Sequence, residues 1–259
     1  MKIPYKGTTL YYTDEGKGTT LVFLHGFLLN ANIWSPLKPQ LLDKYRIVTI
    51  DLLGHGKTGC IGYIHSMEMM AEAVDHILKH LKIRKSVFIG HSMGGYVSLA
   101  FAEQNPDAVK GLVLLNSTAR ADSEEKKRNR DRGIKMVKEN ASNFIRMGVI
   151  NLFRPKNRKI FSKEIYQIKV EALQTPVQGV VAALEGMKMR QDREVLLHFS
   201  PYPKMLVTGK KDPVLPFDTQ LDMIKNTDVN LSIQPDGHMS FLENKDAFIA
   251  DLRNFLKSF

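Results

Sequence analysis

A single cysteine, Cys60, stands among 259 residues. No intramolecular disulfide can form, which excludes the disulfide-stapled scaffolds of small secreted domains. No stretch approaches the roughly 20 consecutive apolar residues that a membrane-crossing helix needs. The opening MKIPYKGTTLYYTDEG has no apolar core of the signal-peptide kind. Together these absences predict a cytoplasmic protein without a membrane span. There is one tryptophan, no internal repeat and no low-complexity tract. Zinc-finger spacings and RNA-binding aromatic motifs are missing, so the net charge of +10 does not point to nucleic acid. That charge instead suits acidic substrates, acidic protein partners or anionic lipid, or a basic surface with no partner. Hydrophobic residues at 43% and charged residues at 25% are ordinary for a globular chain. The length allows one large single-core domain, or a core with a smaller insertion.

What is present is a rhythm of short β-rich runs and longer helical patterns. Thr8–Thr13 reads as an edge strand. Thr20–Leu24 and Arg46–Ile50 are continuous apolar runs of the kind found in strands covered on both faces. Asn32–Leu42 reads as the helix of the first crossover. Ser66–Leu81 has helical periodicity, with Ser66 as its N-cap. Ser86–Ile89 is a third buried strand, Gly94–Gln104 a helix and Val109–Leu115 a fourth strand. Strand and helix alternating in this way predict an α/β fold, with a mostly parallel sheet and helices on both faces.

The rhythm breaks after Ser117. Asp122–Glu139, Ser142–Phe153, Lys163–Leu173 and Val177–Met189 read as helices, with Pro155 and Pro176 as breaks. The α/β pattern resumes with a strand at Lys204–Thr208, a helix at Phe217–Lys225, a strand at Val229–Ile233 and a helix at Ser240–Phe255. Ser240-Phe-Leu-Glu243 has capping-box spacing. The expected organisation is a core of residues 1–118 and 198–259, with a helical cap at 119–197.

Chemistry concentrates at three loops on one edge of this expected sheet. Gly90-His-Ser-Met-Gly94 matches G-x-S-x-G and lies between a predicted strand and a predicted helix, the setting of a nucleophile elbow. Small residues at Gly90 and Gly94 permit the sharp turn that lifts the Ser92 hydroxyl clear of the sheet. A serine hydroxyl needs a base. His238, in Pro235-Asp-Gly-His-Met, follows the last strand, and Asp212, in Gly209-Lys-Lys-Asp-Pro213, follows the strand before it. The order Ser92, Asp212, His238 gives nucleophile, acid and base. The backbone N–H groups of Met93 and Phe27 are the candidate donors to an oxyanion. Acyl transfer by such a set needs neither metal nor organic cofactor. Gly56-Lys-Thr58 lacks the first glycine of a phosphate-binding loop, and His76 with His80 fits a solvated helix face better than a metal site.

Across nearly its whole length the chain resembles the cap-bearing, esterase-like branch of the α/β-hydrolase superfamily. The resemblance rests on His25-Gly-Phe27, Asp51-Leu-Leu-Gly-His-Gly-Lys57, Gly90-His-Ser-Met-Gly-Gly95, Gly209-Lys-Lys-Asp212 and Gly237-His238. It implies an eight-stranded, mostly parallel sheet under a helical cap, with the oxyanion hole at Phe27 and Met93. Thr58 replaces the family's usual serine after Asp51, and Asn116 stands where some relatives keep their acid. Haloalkane dehalogenases and epoxide hydrolases carry aspartate at the elbow, so Ser92 argues against both. Asn30-Ala-Asn-Ile-Trp34 is similar to a stretch in pimeloyl-carrier methyl ester esterases.

The expected activity is hydrolysis of a carboxylic ester of a small or acyl-chain substrate through an acyl-enzyme. C–C bond hydrolysis, cofactor-free perhydrolysis and a non-catalytic receptor on the same fold remain alternatives. From Arg120 to Lys163 there are 14 Lys or Arg and five Asp or Glu. That basic cap is a candidate docking face for an acidic acyl carrier or an anionic substrate.

Overall fold

The computed structural model describes residues 1–259. Eight strands form one sheet: β1 (Lys2–Tyr5), β2 (Thr8–Glu15), β3 (Thr19–Leu24), β4 (Tyr45–Ile50), β5 (Ser86–His91), β6 (Val109–Leu115), β7 (Lys204–Gly209) and β8 (Asn230–Gln234). Their spatial order is β1-β2-β4-β3-β5-β6-β7-β8. Only the β1–β2 and β2–β4 pairs are antiparallel. From β4 through β3 to β8 every pairing is parallel. Every residue of β5 and β7 is buried. Helices α1 (Met67–His80), α2 (Met93–Gln104), α7 (Phe217–Met223), α8 (Ser240–Glu243) and α9 (Lys245–Leu256) belong to this α/β part. Between β6 and β7 lie α3 (Glu124–Ile150), α4 (Ser162–Ala172), α5 (Val177–Lys188) and α6 (Val195–Phe199).

Four local expectations are corrected. The edge strand is β1, not the Thr8–Thr13 segment, which lies one place in. β1 is only four residues long and carries Pro4, tolerable at an edge but a weak strand signal. The first crossover holds two 3-10 turns, Ala31–Trp34 and Lys38–Gln40, instead of a helix over Asn32–Leu42. Pro36 and Pro39 deny that segment the N–H groups of an α-helix. The two helices expected at Asp122–Glu139 and Ser142–Phe153 run together as α3, which bends at Asn140 (φ −155°, ψ 81°). The last expected helix breaks at Asn244, and its capping box does not form as expected. Ser240 lies inside the first turn, where its hydroxyl donates to Gly237 O at 3.2 Å.

Ser66, by contrast, caps α1 by accepting from Met69 N at 3.2 Å. Thr58 makes good the missing serine hydroxyl. Its Oγ1 accepts from Tyr11 N at 2.8 Å and pins the Asp51–Thr58 loop to β2. The Asp51 carboxylate closes that loop by accepting from Ala31 N (2.7 Å) and Lys57 N (2.8 Å).

Candidate active site

The C-terminal ends of β3, β5, β7 and β8 lie on one edge because the strands from β3 to β8 all run parallel, and open α/β sheets bind ligands at this edge. Ser92 occupies the turn from β5 into α2 with φ 50° and ψ −115°, a left-handed backbone that a non-glycine residue adopts only under constraint. The constraint is tight packing of glycines. A Cβ on Gly90 would meet Gly94 O at 2.5 Å, and one on Gly94 would meet the Leu24 carbonyl. Gly26 lies against the same turn, with room for a Cβ taken by His91 Nδ1 (2.6 Å) and Ser92 Cβ (3.3 Å). The loop carrying Phe27 is thereby held beside Ser92.

The backbone N–H groups of Phe27 and Met93 donate to no protein acceptor. Met93 is fully buried at the first position of α2, where an N–H has no intrahelical partner and the helix favours negative charge.

His238 and Asp212 meet. Nδ1 of His238 lies 2.8 Å from Asp212 Oδ2, and both side chains are fully buried. Asp212 also accepts from Val214 N (2.8 Å) and Leu215 N (3.0 Å) through Oδ1 and from Asn116 Nδ2 (3.1 Å) through Oδ2. Burial alone would raise its carboxyl. The adjacent His238 and the donated hydrogen bonds outweigh that and hold it below the usual carboxylate range. With Nδ1–H directed to Asp212, Nε2 of His238 is the basic nitrogen, and it has no protein partner. Ser92 and His238 line one cavity of about 120 Å³ with Phe27, Leu28, Tyr96 and Arg130. They are not directly hydrogen-bonded to each other, and such bonds often tighten only when substrate is present. A separate cleft of about 150 Å³ between α4 and the Leu28–Pro36 loop includes neither residue.

Two supports for the histidine loop are not apparent from the sequence. His91 holds the loop through Nε2, 2.9 Å from His238 O, and burial lowers its pKa to about 3. Glu243 accepts from Gly237 N (3.1 Å) and Met239 N (3.3 Å) on the loop. It also accepts from Arg154 N (3.1 Å) and Asn157 Nδ2 (2.9 Å) in the segment between β6 and β7. Burial pushes this carboxyl up despite those donors. The capping-box spacing at Ser240-Phe-Leu-Glu243 was the available signal for Glu243. The glutamate does reach back to the preceding backbone, but it serves the loop instead of a Ser240 cap.

The basic run is divided by the structure. Lys126 and Arg130 line a cavity of about 350 Å³ that shares Phe27, Tyr96, Arg130, Phe144 and Val214 with the Ser92 cavity. Lys127 instead pairs with Glu124 on the outside at 2.8 Å. The basic run thus splits into an inner and an outer set. Residues one helical turn apart share a face, and α3 turns one face toward the site.

Comparison with known proteins agrees with this architecture. Residues 19–245 match the family model described as alpha/beta hydrolase fold. A curated relative, a pimeloyl-[acyl-carrier protein] methyl ester esterase of Aliivibrio salmonicida (strain LFI1238), is 27% identical over 96% of this chain and 97% of its own. The structure of a thermophilic esterase from Thermogutta terrifontis superposes with a TM-score of 0.93 at 30% identity, over 100% of this chain and 98% of that one. An esterase from Exiguobacterium antarcticum, 23% identical, shares the fold with a TM-score of 0.87 over 97% of this chain and 96% of its own. A parallel sheet with a glycine-packed serine elbow, matched by that model over most of its length, makes this chain a member of the alpha/beta hydrolase family.

Proposed function

We propose that the protein is a carboxylic ester hydrolase that works through an acyl-enzyme on Ser92. One observation carries the reading: an imidazole bonded to a buried carboxylate, its other nitrogen unpartnered, in the cavity that the elbow serine lines. Ser92 Oγ attacks the ester carbonyl carbon while His238 Nε2 takes its proton. Asp212 holds the histidine tautomer and stabilises the cation. The free N–H groups of Phe27 and Met93 receive the developing oxyanion. His238 returns the proton to the leaving alcohol, then activates water to release the acid. We read residues 119–197 as a cap that shields this chemistry from bulk water.

A finer reading of the substrate is an acyl chain carried on an acidic carrier protein. It is favoured by the name of the curated relative and by the outward-facing Lys127 and Arg128.

Labelling with a fluorophosphonate and turnover of a p-nitrophenyl ester panel test the central reading. Ser92→Ala is expected to lose all labelling and to lower kcat by at least about 10³-fold. Wild-type turnover by the Ala variant would refute it. A carrier-linked methyl ester added to the panel tests the finer reading. Its hydrolysis should weaken steeply with salt while that of free esters does not, and equal salt dependence would remove the carrier.

A further inference from the structure

The inner set of basic residues has an arrangement that bulk solvation of a cap does not explain. On the site-facing side of α3, Lys126, Asn129, Arg130 and Gly133 follow one another at helical spacing along the larger cavity. Asp122 is the only acidic side chain on that wall, and it is already engaged. Its Oδ2 accepts from Arg130 Nε at 2.8 Å, and its Oδ1 makes an ion-pair contact with Arg190 Nη1 at 2.6 Å, outside good hydrogen-bond alignment. Arg190 is further committed to Met187 O, Arg120 O and the Tyr96 ring, 4.1 Å from its guanidinium carbon. Two cations, Arg130 and Arg190, thus share one carboxylate. The Nη groups of Arg130 donate no hydrogen bond to the protein, and the ammonium of Lys126 has neither a hydrogen bond nor an ion pair with it.

Leaving the Lys126 ammonium unpaired and the Arg130 Nη donors idle in a partly enclosed cavity is costly, because charges withdrawn from water are normally paired. Here burial, with Arg190 and Arg130 nearby, depresses the Lys126 ammonium below its ordinary value. The fork of Arg130 is oriented by its Nε bond to Asp122, which directs the remaining donors without using them. Such a pre-aligned guanidinium beside a free ammonium is complementary to a small oxyanion.

We propose that Arg130 and Lys126 form an anion subsite that selects esters bearing a carboxylate or phosphate group away from the scissile carbonyl. The Ser92 cavity and the Lys126 cavity share Arg130 as a lining residue, so one molecule can present its ester to Ser92 and its anion to α3. The inference rests on the ester-hydrolase reading and names the substrate class for that same site. Arg130 and Lys126 are specificity residues in it and take no part in bond making.

The test compares kcat/KM for monomethyl esters of succinic, glutaric, adipic and pimelic acids with that for length-matched methyl esters of monocarboxylic acids. A third arm carries a terminal phosphonate in place of the free carboxylate. The wild type is expected to prefer the charged members by about tenfold or more, and the better of the two charged arms identifies the anion. Arg130→Gln and Lys126→Gln should each reduce that preference severalfold, mainly through KM for the charged esters. Arg130→Lys should restore part of it.

Arg130→Gln also disturbs Asp122, so Lys126→Gln, which breaks no ion pair, separates selectivity from folding. Lys135→Gln, an exposed residue of the same helix, serves as the control and should keep the preference. Equal turnover of charged and neutral esters by the wild type would overturn the subsite while leaving the esterase reading intact. So would a preference that survives both glutamine variants. Failure to cleave any ester, with no fluorophosphonate labelling, would remove both readings together.

Discussion

At residue Ser92 the backbone is held in a left-handed conformation by three glycines whose missing Cβ atoms let strand, turn and helix touch. Local strain of this kind costs of order 1–3 kcal/mol and persists only where surrounding packing over-determines it. Asp212 is the complementary case. Three neutral donors and the histidine converge on its carboxylate, so a neutral isostere keeps the shape and loses the charge. In Asp212→Asn an amide NH₂ facing Nδ1 would favour the tautomer with the proton on Nε2, the wrong nitrogen for a base. Ester turnover should then fall by about 10³- to 10⁴-fold with the fold retained, measured as kcat alongside thermal melting. An Asn variant with kcat within tenfold of wild type would contradict the role given to Asp212.

At the scale of elements, α5 fixes how the inserted helices rest on the loop between β4 and α1. Gly179 and Gly186 lie two turns apart on one face. A Cβ at Gly179 would strike Gly54 O, and one at Gly186 would strike His65 O and approach Ser66 Cα at 3.1 Å. His65 N donates to Ala182 O at 3.0 Å between them, so helix and loop backbones are in direct contact. Ala is the better helix former, yet Gly186→Ala must push α5 off the loop. The expected result is a loss of about 1–3 kcal/mol, the usual cost of overpacking, read from urea denaturation. Stabilisation by the intrinsic preference of Ala would show that the contact is dispensable.

The molecule as a whole buries several histidines as neutral rings. His25 donates to Gly26 O from Nδ1 and accepts Leu52 N on Nε2, and burial lowers its pKa to about 4. Burial first, and neighbouring histidines second, lower His55 and His91 to about 3. Unfolded histidines protonate near the ordinary value of 6.5, so below it the unfolded chain binds more protons than the folded one. Stability from these groups is therefore complete above about pH 6.5 and is lost as pH falls toward 4. Each ring contributes about 1.4 kcal/mol per pH unit in that window. Urea midpoints should drop steeply between about pH 6 and pH 4, and a flat profile there would contradict neutral burial. No helix of the molecule is long and apolar enough to cross a membrane.

The chain's own letters determined the alternation of buried strands and helices, the helical insertion after Ser117, and the loops that carry Ser92, Asp212 and His238. Apolar runs, helical periodicity and strand-to-loop placement are local properties, and local sequence encodes them. The short edge strand at Lys2–Tyr5 and the proline-broken first crossover were hard to read because their signals are weak or contradictory over few residues. Only the tertiary structure decided that His91 and Glu243 brace the histidine loop, and that Lys126 and Arg130 face inward while Lys127 faces out. Those outcomes depend on which distant backbone or side chain fills the space opposite. Charge and spacing along one strand of sequence do not contain that information.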